Sequence, residues 1–189
     1  AAPVKTLAKA VALVGPGRAG DFRFLSNYLF DAARVVLPVN ITLQMRSWGG
    51  ARRRLTLQVL PSADGVTQEV SGFYAGNYGA VQISVYDLDL AFPATPVGGT
   101  MAVDRYNAFL KTGQSQGPLR IAIEYSTGEI VRPADGVGLM VSGAEKRPVH
   151  LGVQFSTYPA AMAGKWLQGV ASGTSPDTLK WLTTNLTSL

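Results

Sequence analysis

"AVQISVYDLDLAF", Ala80 to Phe92, is the longest stretch of alternating apolar and polar residues in the chain. Val81, Ile83 and Val85 share one parity, and Leu88, Leu90 and Phe92 share the other. Alternation with a period of two puts one face of a strand on a core and the other in water. A change of parity at Tyr86 or Asp87 therefore requires a β-bulge or a strand that crosses between two sheets.

The flanks repeat the alternating pattern. Val39, Ile41, Leu43 and Met45 alternate with Asn40, Thr42, Gln44 and Arg46. Gly49-Gly50 turns the chain, and Leu55, Leu57 and Val59 continue on one face. Further strands are expected over 66–74, 119–125, around Ile130 and Val131, over 137–141 and over 149–155. "PSADG", Pro61 to Gly65, is a turn in which Asp-Gly accepts positive φ.

Helices are expected at four places. Val4 to Val14 reads as a short basic amphipathic helix, a strand or an extended arm. Asp21 is a cap for a helix carrying Leu25, Tyr28, Leu29, Ala32 and Val36, stopped by Pro38. Thr100 begins an internal helix with Val103, Tyr106, Phe109 and Leu110. The C-terminal part reads as two helices, one over 160–171 and one starting at Ser175-Pro176-Asp177. No internal repeat is visible. About eight strands joined by short turns predict a mainly β, antiparallel, jelly-roll-like sandwich with one internal helix, an N-terminal segment and C-terminal helices. The expected division is a basic arm over 1–20 and a single β-rich domain over 21–189.

The 189 residues carry 17 Lys and Arg against 12 Asp and Glu, a net charge of +5, with no cysteine and one histidine. The missing cysteines exclude disulfides, thiolate nucleophiles and Cys-based zinc sites. The single histidine, His150, rules out multi-His metal sites, and its alternation with Val149 and Leu151 places it on the polar face of a strand. No apolar run approaches the roughly 20 residues of a membrane helix. No cofactor is expected, and the compartment is not legible.

Basic charge concentrates at the start. Residues 1–60 hold nine Lys and Arg and two acids, while the remaining 129 hold eight and ten. Such asymmetry points to an anionic partner for the N-terminal third. Arg52, Arg53 and Arg54 sit at a hairpin tip, with Arg46 across the hairpin and Lys5, Lys9 and Arg18 upstream. They read either as a nucleic-acid surface, with Trp48 stacking on a base or an arginine, or as a solvated tip that discourages edge-to-edge pairing. "GPGRAG" carries Gly15, Gly17 and Gly20 in the spacing of a dinucleotide loop, but Asp21 and the hairpins that follow argue against that reading and for a hinge.

Asp87 and Asp89 lie two apart, the spacing of an acidic pair on one strand face, and read as hydrolase carboxylates, as calcium ligands or, in preference, as a charged sheet face or edge. Leu179, Leu182, Leu186 and Leu189 form a stripe that reads as a subunit contact on a C-terminal helix. The leading expectation is a non-enzymatic, self-assembling coat or particle protein that contacts RNA or DNA through its basic third. The alternative is a non-catalytic glycan- or small-ligand-binding module using Trp48, Tyr74, Tyr78 and Tyr86. A hydrolase with an acidic pair is third.

Overall fold

The computed structural model describes residues 4–76, 78–113, 119–143 and 147–189. Among them the chain forms one α-helix, α1 (Leu7–Val14), and seventeen strands in four sheets. The strands follow a repeating itinerary. The first circuit is β1 (Ala19–Phe24), β2 (Tyr28–Leu29) and β3 (Arg34–Leu37). The second is β4 (Ile41–Ser47), β5 (Arg53–Thr56), a hairpin of β6 (Val59–Pro61) and β7 (Thr67–Val70), and β8 (Gly72–Ala75). The third is β9 (Gly79–Tyr86), β10 (Leu88–Ala91), β11 (Thr100–Met101) and β12 (Ala108–Thr112). The fourth is β13 (Leu119–Ser126), β14 (Ile130–Val131) and β15 (Leu139–Val141). β16 (Val149–Gln154) opens a fifth, continued by bridges at Thr157 and Leu167, and β17 (Leu182–Thr184) opens a sixth.

Strands that occupy the same place in successive circuits pair in parallel. One sheet runs β1-β4-β9-β13-β16-β17, a second β14-β10-β5-β2, and a third β15-β12-β8-β3. Among the described strands only β6 and β7 pair antiparallel, and Ala94 and Gly136 form an isolated antiparallel bridge. The chain is thus a three-sided parallel coil, and the expected antiparallel jelly roll is overturned by the register. Alternation suggested antiparallel pairing because most parallel sheets carry helices on both faces and read as continuous apolar runs. In this coil the first sheet turns one face to water, so β4 and β13 alternate as antiparallel strands do.

The core is a set of inward stacks. Leu43, Ile83, Ile123 and Leu151 lie side by side across four strands, and Met45, Val85, Tyr125 and Val153 form the next row. All eight are buried. On the third side Val35, Phe73, Leu110 and Val141 stack in the same way. Ala19, Thr42, Gln82, Ala122, His150 and Thr183 occupy one row, so successive circuits take 23, 40, 40, 28 and 33 residues. These unequal lengths explain why no repeat is legible in the sequence.

The parity change at Asp87 is the corner between the first and second sheets. Asp87 has φ 49°, and Thr127 (φ 56°) and Phe155 (φ 48°) occupy the same corner in later circuits. One left-handed residue reverses which parity faces inward, at a cost of roughly 1–2 kcal/mol for a side-chain-bearing residue. The Asp87 N–H donates to Ser126 O and Thr127 Oγ1, both at 3.0 Å, which ties one corner to the next.

Four expected helices, at three places, are absent. The segment after Asp21 is β1, β2 and β3, and its apparent stripe includes Leu25, Leu29 and Val36, all more than half exposed. The segment after Thr100 is β11, a 3-10 turn (Asp104–Tyr106) and β12. The C-terminal segment has 3-10 turns at Ala160–Met162 and Pro176–Thr178, then β17. Residues 7–14 are helical, but they are no free arm, since Leu7 and Val11 are buried against the first circuit. No helix among the described residues is long and apolar enough to cross a membrane.

Candidate functional site

The arginine triplet lies on the second sheet beside carboxylates of the next circuits. Register places Arg54 next to Asp89, and Asp89 next to Glu129 one strand further. Arg52 reaches Asp87 at 3.3 Å and Asp89 at 3.8 Å, and Arg54 reaches Asp89 at 3.7 Å and Glu129 at 4.0 Å. Arg53 is partly buried on β5 and its Nε is enclosed by protein. Asp87 and Asp89 are therefore partners of arginine in an ionic ladder.

Other basic candidates are similarly engaged. Arg46 and Arg23 both bind Asp21, at 2.6 and 3.0 Å. Hydrogen bonding from Arg46 is the main cause holding the Asp21 carboxyl below its ordinary range. The Arg23 guanidinium also lies 4.2 Å from the Trp48 ring centroid, so that indole already has a cation on its face. Lys5, Lys9 and Arg18 are exposed at the α1 end and form no salt bridge among the described residues. Gly15 ends α1 and Gly17 donates to Val39 O at 3.0 Å. The glycine loop thus follows a helix instead of preceding one, so no helix N-terminus meets it.

The leucines of the expected subunit stripe belong to this chain's own core. Leu186 and Leu189 are 7% and 1% exposed, and Leu179 and Leu182 pack against the core partly buried.

The candidate site is on the outer face of the first sheet. Ala80 and Ala122 are short side chains at outward positions, and they leave a depression between Gln82 and His150. Pro148, Lys180 and Trp181 border it, because Ile121 pairs with Val149 and Val149 with Leu182, which sets Arg120, Pro148 and Trp181 side by side. The resulting groove holds about 460 Å³ and is open to solvent. Arg120 and Lys180 form no salt bridge among the described residues.

His150 is held from one side. Its Nε2 contacts Oε1 of Glu124, which projects from the adjacent strand. Gly152 makes that contact possible: a Cβ there would stand 2.0 Å from Oε2 of Glu124. Of the groove residues, only His150 is singled out by the sequence. Arg120, Lys180 and Trp181 come from three circuits, and nothing in their local context links them.

No three His, Asp or Glu residues among the described ones group as a metal site. A separate buried cluster joins Arg34, Glu69 and Lys111. Arg34 Nε donates to both oxygens of Glu69 at 3.0 Å, and Lys111 Nζ donates to Glu69 at 3.1 Å and to Ala33 O at 2.6 Å. Burial pushes the Lys111 ammonium down to about 8. No protein-family model matches the chain, and neither the curated proteins nor the solved structures yield a match.

Proposed function

We propose that the chain is a non-catalytic binding module for an anionic saccharide, seated in the groove around His150. The observation that carries this reading is the convergence of Arg120, Lys180 and His150 with Trp181 over two alanines. Two cations with no salt bridge among the described residues supply charge-assisted hydrogen bonds to a carboxylate or sulfate. Gln82, Thr42 and Thr183 supply neutral donors and acceptors for hydroxyls, and the indole supplies an apolar face. A volume of about 460 Å³ suits a ligand of one or two rings. Rigid parallel strands fix these groups before the ligand arrives, which lowers the entropic cost of binding.

The reading assigns no bond-breaking step. His150 is engaged with Glu124, and Asp87 and Asp89 are engaged with Arg52 and Arg54. The nucleic-acid and particle reading loses local support, because its arginines are largely paired within the chain and its leucines lie against the chain's own core.

The test is calorimetric titration with a galacturonate oligosaccharide and with its methyl ester, which keeps the hydroxyls and removes the charge. Binding of the acid, weakened about fivefold by Arg120→Gln or Lys180→Gln and steeply by salt, supports the proposal. Equal binding of acid and ester, or no effect of either substitution, overturns it. Tighter binding of a single-stranded oligonucleotide by the same groove replaces the saccharide with a nucleic acid.

A further inference from the structure

A second groove lies at the opposite end of the first sheet from β17. It holds about 900 Å³ between α1 and β1. All nine residues of 18–26 line it. Consecutive residues of a strand point to opposite faces, so a surface touching every one of them runs along the backbone edge. Among the described residues β1 pairs only with β4, and no described strand lies on its other edge.

The groove is preformed because α1 is anchored at both ends. Thr6 Oγ1 accepts from the Lys9 N–H at 3.2 Å, and Tyr28 Oη accepts from the Leu7 N–H at 3.0 Å. Tyr28 in turn donates to Asp31 at 2.7 Å. At the far end Val14 packs so closely on Gly20 that a Cβ there would come within 2.6 Å of it. Between these anchors the helix stands clear of the strand. Leu7, Val14 and Phe22 line the gap, and Leu13 and Leu25 on its rim are 65% and 58% exposed.

Sheet edges are commonly blunted by proline, bulges or an inward-pointing charge. β1, with sequence AGDFRF, has no proline, and its two charges, Asp21 and Arg23, bind each other on the outward face. The rim charge is positive: Lys5 and Arg18 line the groove without a salt bridge among the described residues, and Asp21 is already neutralised by Arg23 and Arg46. From this we infer that the edge of β1 docks an extended segment of a partner protein, with apolar residues alternating with acidic ones, as an added strand. Main-chain hydrogen bonds to β1 supply affinity, Leu7, Val14 and Phe22 receive the apolar side chains, and Lys5 and Arg18 select the acidic ones. Six residues of β1 at about 3.3 Å each offer about 20 Å of edge, enough for a six-residue segment.

This inference does not depend on the saccharide groove. The probe is a fluorescent peptide of alternating Val and Glu, compared with a Val–Lys peptide and with a Val–Glu peptide interrupted by proline. Saturable binding of the first alone, weakened about tenfold by Arg18→Glu and Lys5→Glu together, is the expected result. Amide exchange should slow in β1 on binding, and a circular-dichroism melt checks that the variant is folded. Equal binding of the lysine peptide, retention by the proline-interrupted peptide, or no binding at about 1 mM overturns the inference. Concentration-dependent self-association that the Val–Glu peptide displaces would give the edge to a second copy and also overturn it. Displacement of the peptide by RNA from a site that needs Lys5, Lys9 and Arg18 would do the same.

Discussion

Glu69→Gln removes one charge from the most deeply buried ionic cluster among the described residues. Glu69 and Lys111 have side-chain exposures of 1% and 0%, and Arg34 is 26% exposed. Without the carboxylate, the Lys111 ammonium keeps Ala33 O as its acceptor and has Arg34 as a like charge nearby. Breaking a buried pair in this way typically costs 3–5 kcal/mol. A ceiling follows from the alternative of neutralising the lysine. Releasing its proton at pH 7 from an ordinary value of 10.5 costs about 5 kcal/mol. Part of that cost is present in the parent, whose Lys111 already titrates near 8. The lysine therefore adds about 1 kcal/mol, and with the weakened Arg34 hydrogen bonds a loss of about 2 kcal/mol is expected at pH 7.

The pH dependence sharpens the test. A lysine with a depressed folded value binds fewer protons than the unfolded chain between about 8 and 10.5, so parental stability rises with pH across that window. From pH 7 to 9 the rise is about 1 kcal/mol. Above about pH 10 the trend reverses, because burial raises Tyr28 to about 12 and raises Tyr125 as well, so the unfolded chain ionises first. At pH 9 Lys111 is mostly neutral in parent and variant alike, so the penalty of Glu69→Gln should shrink by about 1 kcal/mol. Urea unfolding followed by tryptophan fluorescence at pH 7, 8 and 9 measures both slopes. A penalty under about 0.5 kcal/mol at pH 7, or one that grows toward pH 9, refutes this account of the cluster.

Gly152→Ala should push the Glu124 carboxylate away from His150 and cost about 1 kcal/mol; in an Glu124→Ala background the same change should be nearly neutral, a coupling that a double-mutant cycle of melts measures. Phe155→Asn should stabilise the chain by about 0.5–1 kcal/mol in urea melts, because Phe155 is 88% exposed at φ 48°, where asparagine is better tolerated. Arg52→Gln with Arg54→Gln should cost at most about 1 kcal/mol, and less at 1 M salt, since both arginines are nearly half exposed. Leu186→Asp should cost about 3 kcal/mol or more in the same melts without changing the sedimentation coefficient of the folded chain, because its burial is within the chain.

Strand character was local and legible. Alternation over 39–46, 80–92, 119–125 and 149–155 falls on β4, β9 with β10, β13 and β16, because burying one face of a strand imposes a period of two whatever its neighbour does. The corner at Asp87 was legible for the same reason, as a reversal of that parity. Pairing direction was not. It depends on which circuit lies alongside, and 23 to 40 residues separate partners whose local sequences do not resemble each other. Helical spacing after Asp21 and after Thr100 misled because a few apolar residues match period 3.6 by chance when several short strands and corners follow one another. The charge asymmetry of the first 60 residues was a property of the sequence, but its meaning was tertiary: Arg54 meets Asp89 35 residues later only because the coil stacks β5 on β10. Likewise, His150 stood out in the sequence as the single histidine, whereas Arg120, Lys180, Trp181 and the space above Gly152 became its surroundings only through coiling, since side chains on different circuits meet by register and not by sequence spacing.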